Sequence, residues 1–426
     1  MAPAAVVAPM TVAAGLIRIT AIAAGGDGVG RLADGRAVFV PRTAPGDLIE
    51  PQGLDVRARF ARARSARIAE PGPDRVTPRC VHYDRDRCGG CQLQHLNSSG
   101  QHAVRRAIVG DAMRRIGHLE VEDPPLEAAG FEWSYRTKLT LSVKAAGKLI
   151  GFHQLGAPDR LFDLERCEIA APALNTLWAA VKAHRGLLPA AVEHLVLRLA
   201  RDGGRHLIVE CTAGEVWSSA RELGAALQAA GQPATIWWQP EGGAARVMSG
   251  SPDAYPAVVF EQVHPAMGDR VRQHAVSALG EVTGLRVWDL YAGIGETTRA
   301  LVLRGATVDS VESDARAVAL AGSAVEPRVR RHHGRAEDVV ARLPRPDLVI
   351  TNPPRTGMDP RVVDAIRDSA PRRVVYISCD PATLARDIAR IQAPSTGPLF
   401  TLSSLAAFDL FPQTAHVETV AVLHAS

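Results

Sequence analysis

The chain has 426 residues, of which 46% are hydrophobic and 22% are charged. This length predicts two or three domains, and the apolar fraction excludes a disordered or fibrous protein. The net charge of +4 is too small to identify a nucleic-acid-binding protein by itself. The Ala-rich start, Met1 to Leu16, lacks the basic region and cleavage site of a signal peptide and is expected to be a loose extension. We expect a cytoplasmic monomer that does not associate with membranes.

Residues 11–70 combine short apolar runs with glycine turns, a pattern that predicts a small OB-like β-barrel of five antiparallel strands. The densest basic run of the chain lies here and consists of Arg57, Arg59, Arg62, Arg64 and Arg67. Strand alternation places several of these side chains on one face, and no carboxylate interrupts the run. The run therefore predicts an RNA-binding surface, with a solvated edge strand as the alternative.

Three cysteines follow within twelve residues, and a fourth lies far downstream: Cys80, Cys88, Cys91 and Cys167. In a reducing compartment, clustered cysteines bind metal more often than they form disulfides. The Gly89-Gly90 pair allows the backbone to fold tightly around a centre. This set predicts either a tetrahedral zinc site or an iron–sulfur cluster, and the spacing leaves both open. Cys211 lies alone in an apolar strand pattern and is expected to pack in a core.

Residues 71–256 alternate strand and helix patterns and predict a separate α+β domain that carries the four cysteines. A helical insert at about residues 96–128, with a helix from Gln101 to Ile116, is expected to pack on the catalytic domain. Arg136 and Lys138 fall on one face of a predicted strand. They suit phosphate contacts, although a surface salt bridge is the alternative.

Residues 257–426 alternate strands and helices in the pattern of a doubly wound α/β domain with a mostly parallel sheet. In "VWDLYAGIGETT" a strand leads into Gly293 and Gly295, and the next strand ends on the acid Glu312. A third glycine at the dinucleotide spacing and a Walker lysine are both lacking, so nicotinamide and ATP are disfavoured. The loop therefore predicts a nucleoside cofactor without phosphates, for which S-adenosylmethionine is the best candidate.

Another stretch, "VVYISCDPATLARD" at Val374–Asp387, is a β-branched run that stops just before Cys379 and a helix that starts with proline. A thiol at the carboxyl end of such a strand faces the ligand crevice, and the amino end of the helix is expected to favour its thiolate. Cys379 is thus a candidate nucleophile, with an inert buried cysteine as the alternative. Glu418 interrupts the apolar strand "VETVAVL", where a carboxylate without a partner would be unfavourable, and is a candidate base.

Five ordered motifs, "FEQVHP", "DLYAGIGETT", "NPPRTG", "SCDPATLARD" and "HVETV", resemble the RNA uracil-5-methyltransferase family. The resemblance implies that the barrel is a TRAM domain and that Cys80, Cys88, Cys91 and Cys167 bind a [4Fe-4S] cluster. It also implies a Rossmann-like methyltransferase domain in which four residues contact S-adenosylmethionine: Gln262, Tyr291, Glu312 and Asn352. Cys379 would be the nucleophile and Glu418 the base. The barrel and cluster resemble the ribosomal branch of the family, which implies 5-methyluridine formation in 23S rRNA.

The chain departs from the family pattern at a few positions. Asn352 stands where the family usually has aspartate, and Glu261 and His264 replace an aromatic residue and an asparagine. Three alternatives remain: a uracil-5-methyltransferase acting on tRNA, an amino-methylating RNA methyltransferase, and an RNA-binding protein without catalytic activity. Asn352-Pro-Pro favours the second, but those enzymes place an aromatic residue after the prolines, where this chain has Arg355.

Overall fold

The computed structural model describes residues 15–144, 149–212, 217–251, 262–322, 327–393 and 399–426. Most of the expected amino-terminal extension and Glu261 lie outside these residues. The chain divides into two compact units, each built from separate chain segments. The first comprises Met1–Val104, Leu141–Glu168 and Pro412–Ala415, and the second comprises Arg105–Thr140, Ile169–Phe411 and His416–Ser426. These borders differ from the expected ones near residues 70 and 256, because they follow spatial packing and not the order of the sequence.

In the first unit, the described part of the amino-terminal region forms eight short strands: Ile17–Arg18, Ala21–Ile22, Gly28–Arg31, Ala37–Val40, Leu48–Gln52, Asp55–Val56, Phe60–Arg62 and Ser65–Glu70. They make one three-stranded and one five-stranded sheet around a shared apolar core that includes Val38, Val40 and Ile49. The prediction of five antiparallel strands was wrong. The strand Ala37–Val40 pairs in parallel with Phe60–Arg62, a pairing that turn signals between neighbouring strands do not reveal.

The remainder of the first unit carries the cysteines. A short helix, Val81–Asp84, follows Cys80, and Cys88 and Cys91 lie in the loop after it. An antiparallel arrangement of three strands leads towards Cys167: Lys138–Lys144, of which the unit holds the part from Leu141, then Leu149–Gln154 and Ala157–Asp163. The helix Ser98–Arg115 begins in this unit and continues into the second at Arg105.

The second unit contains a smaller sheet made of the strands Val192–Leu199, Arg205–Cys211, Thr235–Pro240 and Arg246–Ser249. The helices Pro172–Ala183 and Ala220–Ala229 accompany it, together with a 3₁₀ turn at Arg185–Leu187. Cys211 is 4% exposed at the end of its strand, which confirms the expected core packing.

A larger sheet of the second unit has eight strands within the described residues, in the spatial order Val329–His333, Thr307–Glu312, Arg286–Leu290, Leu348–Thr351, Arg373–Ser378, Glu418–Ala425, Phe400–Phe408 and Leu126–Glu127. The first five are parallel, and Glu418–Ala425 is antiparallel to both of its neighbours. Helices connect or follow the strands: Pro265–Ala278, Glu296–Leu303, Ala315–Ala321, Ala336–Val339, Pro360–Ser369 and Pro381–Gln392, with a 3₁₀ turn at Val340–Arg342. The sheet is thus covered by helices as the alternating pattern predicted.

The β-branched strand Arg373–Ser378 shows why this sheet forms. Val374 and Tyr376 belong to one buried cluster, and Val375 and Ile377 belong to another. Successive side chains of a strand point to opposite faces, so both faces of the sheet are covered. Val109 and Met113 of the helix Ser98–Arg115 lie in the first of these clusters. The sheet therefore holds the carboxyl ends of its strands in fixed positions, which is where the candidate site lies.

Among the described residues, no helix combines the length and the apolar composition needed to cross a lipid bilayer.

Candidate active site

A glycine loop follows the strand Arg286–Leu290. Gly293 and Gly295 have φ of +56° and +78°, in the left-handed region where a side chain is disfavoured, and Gly295 caps the helix Glu296–Leu303. Glu312, at the end of the neighbouring strand, anchors the loop because its Oε2 accepts a hydrogen bond from the Gly293 N–H at 2.8 Å. Its Oε1 accepts from the N–H groups of Ser313 and Asp314, each at 2.7 Å. The carboxylate is therefore oriented by the backbone beside the loop.

A cleft of about 1050 Å³ opens above the carboxyl ends of the strands. Its lining includes all six catalytic-domain residues that the sequence singled out: Gln262, Tyr291, Glu312, Asn352, Cys379 and Glu418. They come from six separate stretches of the chain, so their convergence is a property of the fold. The volume is at the upper end of the range for small-molecule sites, which leaves room for more than one ligand group.

The backbone fixes the position of three of these cleft residues, Tyr291, Asn352 and Gln262. Tyr291 has a φ of +62°, unusual for a residue with a side chain, and burial raises the pKa of its phenol. Asn352 is exposed to the cleft and donates its backbone N–H to Leu290 O at 3.2 Å, which ties the ends of two neighbouring strands together. Gln262 packs on Gly268, where an added Cβ would come within 2.9 Å of the Gln262 Cβ.

The sheet register brings Cys379 and Glu418 together. Ser378 and Thr419 are paired on antiparallel strands, so the next residue of one strand lies beside the preceding residue of the other. Glu418 is 2% exposed, and its Oε2 has no hydrogen-bond partner among the described residues. Burial raises the pKa of Glu418 to about 8, and the positive charge of Arg355 opposes this shift. A carboxyl group next to the thiol can therefore gain and lose a proton near neutral pH.

The Cys379 thiol is half-buried, and burial raises its pKa above the ordinary value. The negative charge of Glu418 also raises it, whereas Arg355 lowers it through its charge and a hydrogen bond to the thiol. The amino end of the following helix was expected to favour the thiolate, and this stays a prediction; burial is the largest named effect on the pKa of Cys379 and opposes the thiolate. The cation that favours the thiolate is Arg355. The sequence could have indicated that Arg355 lies at the site, since this residue directly follows the Asn352-Pro-Pro turn.

The loop that carries Arg355 is fastened to the helix that follows Cys379. Asp387, which is fully buried, accepts hydrogen bonds at Oδ2 from the Met358 N–H and the Tyr376 hydroxyl, each at 2.8 Å. Arg386 donates a hydrogen bond to Thr356 O at 2.8 Å. The last residues of "SCDPATLARD" therefore position the "NPPRTG" loop, which links two of the sequence motifs physically.

Other cleft residues were missed by the sequence analysis. Phe411 lines the cleft and makes an edge-to-face contact with His416, with ring centroids 6.0 Å apart. Burial and the charges of Arg355 and Arg136 lower the pKa of His416. Arg136, which the sequence assigned to phosphate contacts, lines the same cleft. Phe411 could have been recognised as an aromatic residue shortly after the strand Phe400–Phe408.

The four cysteines lie close enough to affect each other's ionisation. Burial raises the pKa of Cys88 to about 12, with further increases from Cys167 and Cys80. Burial also raises the pKa of Cys91, and all three other thiols add to the shift. Among the described residues, no group of three or more His, Cys, Asp or Glu side chains has the arrangement of a metal site. The donor set nevertheless matches metals that prefer sulfur, because four thiols share one partly buried location.

The arginine run of the barrel has more carboxylate partners than its sequence indicates. Three of the five arginines form ion pairs with carboxylates: Arg57 with Asp55, Arg62 with Asp27 and Arg67 with Glu50. Asp55 lies two residues before Arg57, whereas Glu50 is brought to Arg67 by the pairing of their strands. The absence of an interleaved carboxylate is therefore a weaker sign of RNA binding than the sequence alone indicated.

A family model described as tRNA (uracil-5-)-methyltransferase matches residues 324–426. An uncharacterized RNA methyltransferase of Thermosynechococcus vestitus is 32% identical over 96% of this chain and 98% of its own length. The 23S rRNA (uracil(1939)-C(5))-methyltransferase RlmD of Thiobacillus denitrificans is 30% identical, with coverages of 93% and 96%.

The fold has a solved counterpart over almost its full length. The tRNA (uracil-54, C5)-methyltransferase of Pyrococcus abyssi, solved with S-adenosyl-L-homocysteine, covers 96% of this chain and 100% of its own, with a TM-score of 0.70 and 22% identity. The second unit thus includes an α/β methyltransferase fold. Together with the full-length relatives, these matches show that the chain belongs to the RNA uracil-5-methyltransferase family.

Proposed function

We propose that this protein transfers a methyl group from S-adenosylmethionine to carbon 5 of a uridine in 23S rRNA. The observation that carries the proposal is the convergence of a thiol, a guanidinium group and a buried carboxyl group in the cleft beside the glycine loop: Cys379, Arg355 and Glu418. Carbon 5 of uracil is a poor nucleophile, so a nucleophilic side chain is needed to activate it.

Cys379 performs this activation. Its thiolate, favoured by Arg355, adds to carbon 6 of the ring, and the electrons of the carbon 5–carbon 6 double bond move to form an enolate. The cofactor, when bound, supplies an electrophilic methyl group that carbon 5 attacks. The two new bonds are therefore sulfur to carbon 6 and methyl to carbon 5. The bond between the methyl group and the sulfonium sulfur of the cofactor would break, and S-adenosylhomocysteine would leave.

Glu418 completes the reaction. Its carboxylate removes the carbon 5 proton, the double bond re-forms, and the Cys379 thiolate leaves from carbon 6. The raised pKa of Glu418 fits this role, because a base of pKa about 8 holds the proton firmly and still releases it to solvent. The same pKa predicts that activity rises with pH as Glu418 and Cys379 lose their protons.

The cofactor would occupy the side of the cleft formed by Gln262, Tyr291, Glu312 and Asn352. Glu312 is suited to ribose hydroxyls, because backbone hydrogen bonds orient its carboxylate at the carboxyl end of a strand. Asn352 in place of an aspartate keeps a hydrogen-bonding side chain at the cleft without its charge.

The substrate assignment rests on the relatives named RlmD, which act on 23S rRNA. The Pyrococcus abyssi protein acts on tRNA and shares the fold over nearly the whole chain, so the fold alone does not distinguish the two RNA classes. Arg136 in the cleft would contact backbone phosphates of either RNA, and the barrel arginines would add longer-range attraction as a TRAM-like domain.

The four cysteines of the first unit would bind a [4Fe-4S] cluster. The other thiols of the group raise the pKa of Cys88 and Cys91, so the four are unfavourable together as thiolates unless a cation compensates their charge, which supports a metal centre at this location. Iron and acid-labile sulfide in anaerobically purified protein would support the cluster, whereas stoichiometric zinc in a colourless protein would overturn it.

Nucleoside mass spectrometry tests the proposal. Undermethylated rRNA and, separately, undermethylated tRNA are incubated with the protein and S-adenosylmethionine, beside the variants Cys379→Ala and Cys211→Ala. We expect 5-methyluridine in rRNA with the wild type and Cys211→Ala, and none with Cys379→Ala. Formation of 5-methyluridine in tRNA alone would mean that the substrate is tRNA and not 23S rRNA. A methylated purine that survives Cys379→Ala would indicate an amino-methylating enzyme, and no product on either RNA would indicate a binding protein.

A further inference from the structure

A column of three aromatic rings lies in the second unit beside the cleft. His264 is stacked on Tyr135 with ring centroids 5.0 Å apart and an interplanar angle of 20°. Phe131 is also stacked on His264, with ring centroids 5.2 Å apart and an interplanar angle of 27°. Tyr135 is 3% exposed and His264 2%, whereas Phe131 is 53% exposed. The column thus has a buried base and an accessible end.

The exposure of Phe131, at the accessible end of the column, is unusual for an aromatic residue of this protein. Phe131 is the one aromatic residue among the exposed large hydrophobic side chains of the described residues. Single exposed aliphatic residues are common on protein surfaces and need no special explanation. An aromatic ring that is stacked on one buried ring and is otherwise largely accessible is better suited to receive another flat ring.

The column is held rigidly next to the cleft. Thr137 N–H donates a hydrogen bond to Val263 O at 2.9 Å, which joins the segment of Phe131 to the segment of His264. His264 also caps the helix Pro265–Ala278, because its Nδ1 accepts from the Met267 N–H at 3.4 Å. The fixed backbone reduces the conformational entropy lost when a ligand stacks on the column.

Residues next to the column line the cleft. Val263 and Gln262, adjacent to His264, line it, and so does Arg136, adjacent to Tyr135. The guanidinium of Arg136 supplies a positive charge for a phosphate near the column. A flat ring stacked on Phe131 would therefore belong to a chain whose phosphates lie at the mouth of the cleft.

We propose that Phe131 is a stacking platform for an RNA base next to the uridine that enters the cleft. This inference rests on the proposed function for the identity of the RNA. A flipped uridine leaves its neighbours without a stacking partner, and Phe131 would replace that partner for one of them. The platform would act on RNA affinity and on placement of the target base, and would not take part in bond formation.

The test compares Phe131→Ala with Phe131→Trp and with the control Leu303→Ala, which removes an apolar side chain that is 82% exposed in the same unit. The probe is a short RNA hairpin that carries the unmethylated target uridine in its loop. We expect Phe131→Ala to raise the Kd and KM by about tenfold with little change in kcat, because stacking supplies binding energy in single-stranded RNA. Phe131→Trp should retain the wild-type values, and Leu303→Ala should not change them.

Abasic substitutions in the hairpin identify the base. At one position beside the target uridine, the abasic RNA should bind the wild type more weakly than the intact RNA does. Phe131→Ala should bind the abasic and the intact RNA equally, because it already lacks the ring on which the base stacks. The slope of affinity against salt should be the same in both proteins, because a ring contact releases no counterions. Equal affinity of Phe131→Ala and Leu303→Ala, or the absence of any such position, would overturn the inference. Methylation by the wild type reports separately on the proposed function. A weaker binding of Phe131→Ala without any formation of 5-methyluridine would overturn the proposed function and leave the platform inference standing.

Discussion

Two groups of buried or half-buried cysteines can be compared in this protein, one in each unit. Cys379 has a cation within hydrogen-bonding reach, Arg355, and the carboxyl groups of Glu418 and Asp380 nearby. The thiols of Cys88 and Cys91 are raised in pKa mainly by burial and then by other thiols. The difference teaches that Arg355 partly offsets the unfavourable effect of burial on the Cys379 thiolate, as a nucleophile requires. In the other group Arg42 is the smallest of the named effects on the Cys88 thiol, and the thiols are suited to an external cation.

The largest expected effect concerns the carboxyl group beside the nucleophile. Glu418→Gln removes the base but leaves Cys379 and Arg355 in place. We expect kcat to fall by about 10²–10⁴-fold, the usual contribution of a positioned general base. Because addition and methyl transfer precede removal of the proton, a covalent complex of RNA and protein should accumulate. Denaturing gel electrophoresis with labelled RNA measures this complex.

The control for this variant is Glu222→Gln, which removes an exposed carboxylate from the helix Ala220–Ala229. It should retain wild-type turnover and form no stable complex. If Glu418→Gln lost activity without accumulating the complex, Glu418 would be needed before the addition step, and its assignment as the final base would be wrong.

The second prediction concerns the cysteine group of the first unit. Cys91→Ser should abolish the bound iron and lower the free energy of unfolding by more than about 4 kcal/mol, as loss of a structural metal does. Cys211→Ser is the matched control, because Cys211 is also buried but lies in a strand of the second unit. Iron analysis and chemical denaturation measure the two effects. Equal destabilisation by both variants, with iron retained, would contradict the metal assignment.

The third prediction concerns Arg355, the cation that distinguishes Cys379 from the cysteines of the first unit. Arg355→Gln removes the charge that lowers the pKa of Cys379, so the thiol pKa should rise and kcat/KM should fall by roughly 10–100-fold. Arg355→Lys should recover part of the loss, because it restores the charge without the planar geometry. The rate of thiol alkylation against pH, corrected with Cys379→Ala, gives the pKa directly.

The control Arg372→Gln removes an arginine whose side chain is 72% exposed and should leave both the alkylation profile and kcat/KM unchanged. An alkylation profile of Arg355→Gln that matched the wild type would show that Arg355 does not act on the thiol.

Part of the site could be predicted because several of its motifs lie where a parallel strand ends. Gly293, Glu312 and Cys379 follow β-branched runs, and the carboxyl ends of such strands meet at one edge of a sheet. The ordered motifs then assign roles by resemblance. The pairing of Cys379 with Glu418 could not be read from spacing, because it depends on the antiparallel register of Ser378 with Thr419.

Other features depend on contacts between residues far apart in the sequence. Asp387 fastens the loop at Met358, and Glu50 neutralises Arg67 from a neighbouring barrel strand. The balance of effects on the Cys379 pKa also required the structure, since burial has no local sequence signal. The barrel strands were miscounted for a related reason, because their short stretches are defined by their pairing partners.

The last predicted effect is on stability, and it follows from the raised pKa of Glu418. This pKa is about 8 in the folded protein and near 4.5 in the unfolded chain. Between these values the unfolded chain has released the proton and the folded protein retains it. The free energy of unfolding should therefore decrease by about 1.4 kcal/mol per pH unit from this group alone as the pH rises.

Glu418→Gln cannot ionise, so the free energy of unfolding of this variant should exceed that of the wild type by an amount that grows from pH 5 to pH 8. Above pH 8 the folded protein also loses the proton, and the difference should become constant. The exposed control Glu222→Gln should show no such growth. Urea denaturation of the three proteins at several pH values measures these differences. A difference independent of pH would mean that Glu418 is ionised in the folded protein, so that its cleft stabilises a carboxylate as Arg355 stabilises the Cys379 thiolate.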